Sequence, residues 1–171
     1  MTQYSDLVSL LRAVPLFAGL DPGKLKLLAF SSASLALADG EILICVGEPA
    51  DAVYIIEAGD AEILIGDGDT GVRIGVFGKN WLVGELAVFL NEPRTATVRA
   101  IGELRVLRID ADVFLRIVSE NPDVALNVMR ILSDKLARMT ESVERFEVGR
   151  GRPVSTGETC QDAALPPVRA T

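Results

Sequence analysis

Histidine is absent from this sequence, and cysteine occurs only twice, at Cys45 and Cys160. Histidine is the side chain that most often serves as a general base and as a metal ligand, so its absence argues against both roles. Cys45 lies in an apolar, strand-like run and Cys160 in a polar tail, so neither a disulfide framework nor a shared metal site is expected. We therefore predict a protein that is not an enzyme and needs no cofactor or metal.

Aromatic residues and positive charge are also scarce. Phe, Trp and Tyr make up 5% of the chain, and 17 Lys and Arg residues stand against 24 Asp and Glu, which gives a formal net charge of −7. Binding to a nucleic-acid backbone depends on clustered positive charge, and binding to single strands also depends on aromatic stacking. We therefore expect no DNA or RNA partner.

Long hydrophobic stretches are missing as well. No run reaches the roughly 18 apolar residues that a membrane-spanning helix needs. Residues 1–6 lack the basic region and apolar stretch of a secretory signal. We expect a soluble, cytoplasmic protein with no membrane partner.

What the chain does contain is a large aliphatic content. Its 171 residues are 49% hydrophobic, which suits one sizeable core. Between residues 40 and 109, short apolar runs alternate with Gly, Asp, Asn or Pro, a pattern that predicts strands joined by turns, with Gly47 and Gly59 in turns. The predicted strands are Ile42–Val46, Ala52–Ile56, Ala61–Ile65, Val72–Phe77, Thr95–Ala100 and Leu104–Ile109.

Helical spacing precedes and follows this zone of strands. Apolar residues recur at helical intervals before Pro15 and again after Asp21-Pro22, which predicts two N-terminal helices. Asp110 and Asn121-Pro122 are candidate starts of two C-terminal helices that end near residues 120 and 147.

The predicted fold is therefore mainly β with flanking helices. We expect a β-roll or jelly-roll barrel over about 40–109, two helices before it and two helices over about 111–147. One domain should cover residues 1–148. Residues 149–171 are rich in Gly, Ser, Thr and Pro and lack apolar periodicity, so we expect a disordered tail.

Two short motifs stand between predicted strands: Gly84-Glu85-Leu86-Ala87 and Pro93-Arg94-Thr95-Ala96-Thr97-Val98. Gly84 has no Cβ, so the backbone can approach a ligand closely, and a helical turn from Glu85 would point N–H groups at an anion. Arg94 adds a permanently charged guanidinium that suits phosphate oxygens. The alternative is a structural ion pair between Glu85 and Arg94 that ties a loop to the barrel, and both interpretations stay open here.

These motifs resemble the phosphate-binding cassette of cyclic nucleotide-binding domains. The similarity extends over roughly residues 10–146 and includes Val14–Leu20 and Gly47–Asp51. The resemblance implies a sensor that binds cAMP or cGMP and then repositions its C-terminal helix for an unknown effector protein. It further implies that Glu85 accepts a hydrogen bond from the ribose 2′-hydroxyl, and that Thr95 contacts the guanine amino group, so that cGMP is tolerated.

Two alternative functions stay open. The catabolite activator family shares this domain and carries a DNA-binding helix-turn-helix after the long helix, where this chain has a low-complexity tail. The chain would then be a truncated transcription regulator. The second alternative is a degenerate domain that serves dimerisation or scaffolding and has lost its ligand.

The last predicted helix carries a regular apolar seam. Ala125, Met129, Leu132, Leu136, Met139, Val143 and Phe146 follow one another at steps of 4, 3, 4, 3, 4 and 3. This spacing fits a helix laid on the barrel or a two-stranded coiled coil, and we expect the coiled coil and hence a parallel homodimer.

Comparison with the catabolite activator family places Met139-Thr140 where that family has a Thr-Ser pair that contacts the base. The resemblance thus implies that Thr140 contacts the purine from its own or the partner subunit.

The predicted ligand-binding residues are Val83, Gly84, Glu85, Leu86, Ala87, Pro93, Arg94, Thr95, Ala96, Met139 and Thr140.

One other motif does not predict a binding site. Asp67–Gly71 resembles the start of a calcium loop, but Gly78 stands where the closing glutamate would fall, so a hairpin turn is predicted instead.

Overall fold

The computed structural model describes residues 2–66 and 71–149 of the chain. Its helical elements are α1 (Thr2–Ala13), a 3₁₀ turn (Pro15–Phe17), α2 (Pro22–Phe30), α3 (Glu85–Leu90), α4 (Ala111–Glu120) and α5 (Pro122–Gly149). Its strands are β1 (Ser32–Leu37), β2 (Ile42–Ile44), β3 (Ala52–Ile65), β4 (Val72–Phe77), β5 (Leu82–Val83) and β6 (Thr97–Asp110). The predicted β-roll with helices on both sides is confirmed.

The two longest strands, β3 and β6, form the centre of one antiparallel sheet. They pair from Ala52 opposite Asp110 to Leu64 opposite Thr97. The strand order is β1-β6-β3-β4, with β2 also pairing with β6 and β5 also pairing with β3. Register shifts around Ala58 interrupt the ladder, and such irregularities bend paired strands, which lets the sheet curl into a roll.

This bend corrects two features of the sequence prediction. Gly59, expected in a turn between two strands, lies inside β3 with a φ of +85°. A Cβ at this position would lie 2.1 Å from the carbonyl oxygen of Glu103, so glycine is required for β3 and β6 to cross this closely. The predicted strands Ala52–Ile56 and Ala61–Ile65 are therefore one bent strand, β3. The predicted strands Thr95–Ala100 and Leu104–Ile109 likewise form one strand, β6. Gly47 does lie in a turn, with a φ of +86°.

The sequence prediction missed β1 and β5. The β1 sequence, SASLAL, has no β-branched residue, and it leaves most of its side chains exposed. It becomes a strand because it pairs with β6 from Ser32 opposite Ile109 to Leu37 opposite Leu104. β5 has only two residues, too few to show any periodicity, and it exists through its pairing with β3.

Alternate residues of β3 serve two separate cores. Val53 and Ile55 pack with the helices, whereas Tyr54 and Ile56 pack inside the roll. Because successive side chains of a strand point to opposite faces, a strand buried on both faces shows a continuous apolar run instead of an alternating one. This explains the unbroken run in the first half of β3.

The helix starts follow the predicted sites, with one difference in chemistry. The Asp21 carboxylate accepts hydrogen bonds from the Gly23 and Lys24 amides and so caps α2. Asp110 occupies the cap position of α4, but its side chain makes no capping bond and instead pairs with Arg108. The sequence located the start of α4 without revealing this competing partner.

Helix α5 connects the two cores. Val124 and Val128 pack in the helical core, and Met139, further along the helix, packs against the core inside the roll. The Asn127 side-chain amide donates to the carbonyls of Pro15 and Leu16, which ties the first half of α5 to the N-terminal helices. The second half of α5 lies against the roll.

Several predictions fall outside the part of the chain that the structure describes. They are the tail after Gly149, Cys160 and the turn at Asp67–Thr70; the strands on either side of that turn do pair, with Ile65 opposite Val72. Within residues 2–66 and 71–149, no helix combines the length and the apolar character needed to cross a bilayer.

Candidate ligand-binding site

A cavity of about 270 Å³ lies between the roll, the segment around α3 and the second half of α5. Aliphatic side chains of four strand regions form one part of its wall, and the two sequence motifs and α5 form the rest. The lining residues are Ile44, Ile63, Ile65, Ile74, Gly84, Glu85, Leu86, Ala87, Arg94, Thr95, Ala96, Val98, Lys135 and Met139. The cavity therefore joins an apolar surface to buried charges, as a ligand with both an apolar ring and an anionic group requires.

Gly84 is needed for the geometry of this site. It precedes α3 with a φ of +80°, in the left-handed region that favours glycine. A Cβ at this position would lie 2.8 Å from both Arg94 Nη1 and Ile44 Cδ1. The close approach that the sequence suggested for Gly84 is thus first of all an approach to Arg94.

The Arg94 guanidinium is held by backbone carbonyls. Arg94 is 5% exposed; Nη1 donates to the Gly84 carbonyl at 2.7 Å and Nη2 to the Ala52 carbonyl at 2.7 Å. Nη2 also lies 3.5 Å from Asp51 Oδ1. The two carbonyl hydrogen bonds use two of the five N–H donors, and the three contacts together fix a positive charge at the cavity wall.

Glu85 carries the opposite charge at the same wall. It is 2% exposed, and its Oε1 accepts a hydrogen bond from Lys135 Nζ at 2.8 Å. Its Oε2 is buried and has no hydrogen-bond partner among the described residues. Within the described part of the chain, Glu85 pairs with Lys135 and Arg94 with Asp51, so the structural Glu85–Arg94 pair considered from the sequence does not form.

The comparison with known families agrees with this arrangement. The family model for the cyclic nucleotide-binding domain matches residues 35–121, about half of the chain and both sequence motifs. The chain belongs to the cyclic nucleotide-binding domain family.

Known members give the scale of the similarity. The domain is 32% identical over 137 residues to the cAMP-dependent protein kinase regulatory subunit of Blastocladiella emersonii, covering 80% of this chain and 31% of that protein. It is 31% identical over 150 residues to the cGMP-dependent protein kinase of Plasmodium berghei, covering 86% of this chain and 17% of that protein. The structure of a cAMP-binding acyltransferase from Mycobacterium smegmatis matches it with a TM-score of 0.69 and 27% identity, covering 80% of this chain and 43% of that one. The chain thus spans less than half the length of each of these proteins.

Eight of the predicted site residues line the cavity of this cyclic nucleotide-binding domain; they are Gly84, Glu85, Leu86, Ala87, Arg94, Thr95, Ala96 and Met139. The other three lie elsewhere. Val83 is buried in β5 opposite Tyr54, and Pro93 lines a second cavity of about 510 Å³. Thr140 is exposed, and its hydroxyl donates to the Leu136 carbonyl of its own helix.

Six lining residues were not predicted from the sequence; five are aliphatic strand residues (Ile44, Ile63, Ile65, Ile74 and Val98), and the sixth, Lys135, is charged. Its Nζ donates to the Leu82 carbonyl at 2.8 Å as well as to Glu85, and it lies 5.4 Å from the centre of the Phe77 ring. The available signal was its position one helical turn before Met139, which places both residues on one face of α5.

Some residues of the predicted seam of α5 are exposed to solvent, and others pack against the rest of the domain. Met129 and Leu136 are 59% and 68% exposed, whereas Leu132 and Met139 are partly buried against the two cores. Among residues 122–141 of α5, whose burial the structure describes, the most buried are Val124, Val128 and Lys135, none of which belongs to the seam. The side chains of Val143 and Phe146 lie outside the described residues.

A second charged cluster reinforces the sheet behind the cavity. Glu62 lies between Ala61 and Ile63, which point into the roll, so its carboxylate is on the other face. It contacts Arg73 Nε and Arg99 Nη2, each at 2.6 Å. Burial opposes ionisation of Glu62, but the hydrogen bonds and charges of the two arginines outweigh it and hold the pKa of this carboxyl below its ordinary value.

Proposed function

We propose that this domain senses cAMP or cGMP, binds the nucleotide in the 270 Å³ cavity and responds by repositioning α5 for an effector protein. The observation that carries the proposal is the arrangement at the cavity wall. A buried arginine, a buried glutamate with an unpartnered oxygen and a lysine of α5 meet in one place. A ligand bound there would therefore affect α5, the helix that would transmit the signal.

Arg94 is the proposed phosphate ligand. A guanidinium has five N–H donors, and the two carbonyl bonds leave capacity for phosphate oxygens. Those bonds also fix its position before the ligand arrives, which lowers the entropic cost of binding. The neighbouring backbone of Gly84–Ala87, at the start of α3, supplies further N–H groups on the same wall.

Glu85 is the proposed ribose ligand. Its buried Oε2 has no hydrogen-bond partner among the described residues, and an unsatisfied buried acceptor is unfavourable. A 2′-hydroxyl that donates to this oxygen would remove that penalty. This unpartnered oxygen also favours a ligand-binding domain over the degenerate scaffold considered from the sequence.

The purine is proposed to lie on the aliphatic wall. Ile63, Ile65, Ile74 and Met139 line this part of the cavity, and their burial against a flat ring supplies binding energy without choosing between the two bases. Thr95 lines the same cavity and is exposed to it. Its hydroxyl is the proposed contact to the guanine amino group, so cGMP should be accepted as well as cAMP.

A parallel homodimer is a further part of the proposal. Met129 and Leu136 present apolar side chains to solvent on the outer side of α5, at the heptad spacing that a coiled coil uses. The Thr140 hydroxyl, which donates within its own helix, would reach a purine only through rearrangement of α5 or from the partner subunit. We further propose that residues 1–148 form the sensor, that it acts in the cytoplasm and that it does not bind DNA.

Calorimetric titration of the purified protein with cAMP, cGMP and 5′-AMP tests this function. We expect one site per chain for cAMP or cGMP and much weaker binding of 5′-AMP, which lacks the cyclic phosphate. A ligand at about 100 times its Kd should also stabilise the fold by about 2.7 kcal/mol. No heat and no change in Tm at millimolar cAMP or cGMP would refute the proposal.

A further inference from the structure

A buried ion pair joins two elements that are far apart in the sequence. Lys135, on α5, donates to Glu85 Oε1 and to the Leu82 carbonyl, both at 2.8 Å. Lys135 is 9% exposed and Glu85 is 2% exposed, and both line the cavity. A buried ammonium is tolerated only with well-placed partners, so the position of Lys135 is tied to that of the Glu85 carboxylate.

The pair satisfies only one of the two carboxylate oxygens. An ionised carboxylate accepts hydrogen bonds at both oxygens, but Glu85 Oε2 has no partner among the described residues. Lys135 holds Oε1 and thereby restricts rotation of the carboxylate. The oxygen that remains for a hydroxyl donor from the cavity is therefore set by a residue of α5.

We infer that Lys135 is a positioning residue for the ligand: it orients and charge-balances Glu85, so that Oε2 accepts the ribose 2′-hydroxyl of the bound nucleotide. This inference rests on the proposed function. Its consequence is that the ribose contact depends on the position of α5. A ligand with the 2′-hydroxyl therefore favours the arrangement in which α5 lies against the roll, and a ligand without it does so less.

A purely structural role makes a different prediction. If Lys135 only anchors α5 to the Leu82 carbonyl, its removal weakens every ligand by the same factor. If it positions Glu85, its removal selectively weakens ligands that carry the 2′-hydroxyl. The carboxylate is then left buried without its cation, and it can no longer keep both its negative charge and its position. The preference for cAMP over 2′-deoxy-cAMP distinguishes the two roles.

The experiment measures Kd for cAMP and 2′-deoxy-cAMP, with cGMP and 2′-deoxy-cGMP in parallel, on wild type, Lys135→Met, Glu85→Gln and the double variant. Wild type should prefer the ribose form by about 10- to 150-fold, the range of a hydrogen bond to a charged group. Lys135→Met should lower that preference by about fivefold or more. The double variant should lose little more than Glu85→Gln alone, since coupled residues are not additive.

Arg130→Met is the matched control, because it removes the same charge from an exposed position of α5 whose side chain bonds Asn127 within the helix. It should keep the wild-type preference. If Lys135→Met does not fold, Lys135→Gln is measured in its place, since a neutral donor can keep the bond to Leu82. Equal losses for the ribose and deoxyribose forms would overturn the positioning role, whereas a wild type that binds none of the four nucleotides would overturn the proposed function itself.

Discussion

Arg94→Ala is the substitution that tests the site most directly, and the structure changes what should be expected from it. The guanidinium is the proposed phosphate ligand, but it also donates to the Gly84 and Ala52 carbonyls at 2.7 Å. Both binding and folding should therefore suffer. The phosphate-binding interpretation of the sequence predicts only the loss of binding, with little change in the unliganded fold.

The two losses can be sized separately. A hydrogen bond that involves a charged group contributes about 1.5–3 kcal/mol, so losing the phosphate contact should weaken cAMP or cGMP binding by about 10- to 150-fold. Removing the donor to two carbonyls should lower the free energy of unfolding of the unliganded protein by about 2–4 kcal/mol. A domain with an ordinary stability of about 5–15 kcal/mol remains folded after that loss.

Calorimetric titration measures the loss of nucleotide affinity, and urea denaturation measures the loss of unfolding free energy. Arg108→Ala is the matched control: Arg108 contacts the same Asp51 at 3.1 Å but does not line the cavity. It should leave Kd within about twofold of wild type, because exposed ion pairs contribute little. Arg94 is not the phosphate ligand if Arg94→Ala loses stability but keeps its nucleotide affinity, or if Arg108→Ala weakens binding as much as Arg94→Ala does.

Three further predictions concern other parts of the domain. Glu62→Gln should cost about 1–3 kcal/mol of unfolding free energy at pH 7. Because the arginines lower the pKa of Glu62, this contribution is present above the ordinary glutamate pKa and is lost as pH falls through the lower folded value, so the stabilities of the two proteins in urea titrations should converge as the pH is lowered. Thr95→Ala should reduce cGMP affinity more than cAMP affinity in calorimetric titrations. Leu136→Asp should convert a dimer to a monomer in sedimentation experiments, with and without nucleotide.

Each of these predictions has a result that contradicts it. A stability difference for Glu62→Gln that does not change as the pH is lowered from 7 would mean that the arginines do not stabilise the charged form. Equal losses of cAMP and cGMP affinity in Thr95→Ala would remove the proposed base contact. Leu126→Asp is the control for the seam, since Leu126 is 50% exposed on the same helix but outside the heptad positions; a monomeric wild type would rule out the seam as an interface.

Local features were predictable where local forces decide them. Asp21 caps α2 as expected, because a short side chain at that position reaches amides two and three residues further on. Gly84 adopts a positive φ that other residues avoid, and the two motifs around it lie within about ten residues of each other. The segment that contains these motifs therefore has a recognisable pattern in the sequence.

Strand boundaries were less predictable, because pairing partners set them. β1 contains Ala and Ser in place of β-branched residues and becomes a strand only through its ladder with β6. Gly59 is predicted to lie in a turn. A sequence shows that glycine allows unusual backbone angles, but not whether the chain bends within a strand or reverses direction there. The neighbouring carbonyl of Glu103 decides that question.

The sequence by itself thus determined the family, the β-roll and the cassette that carries Gly84, Glu85 and Arg94. Only the tertiary structure decided which charges pair: Glu85 with Lys135 of α5, and Arg94 with Asp51 and two carbonyls. The physical reason is that burial, not proximity along the chain, makes an ion pair obligatory. A lysine fifty residues from the cassette looks like any surface lysine until α5 packs against the roll and takes it out of water.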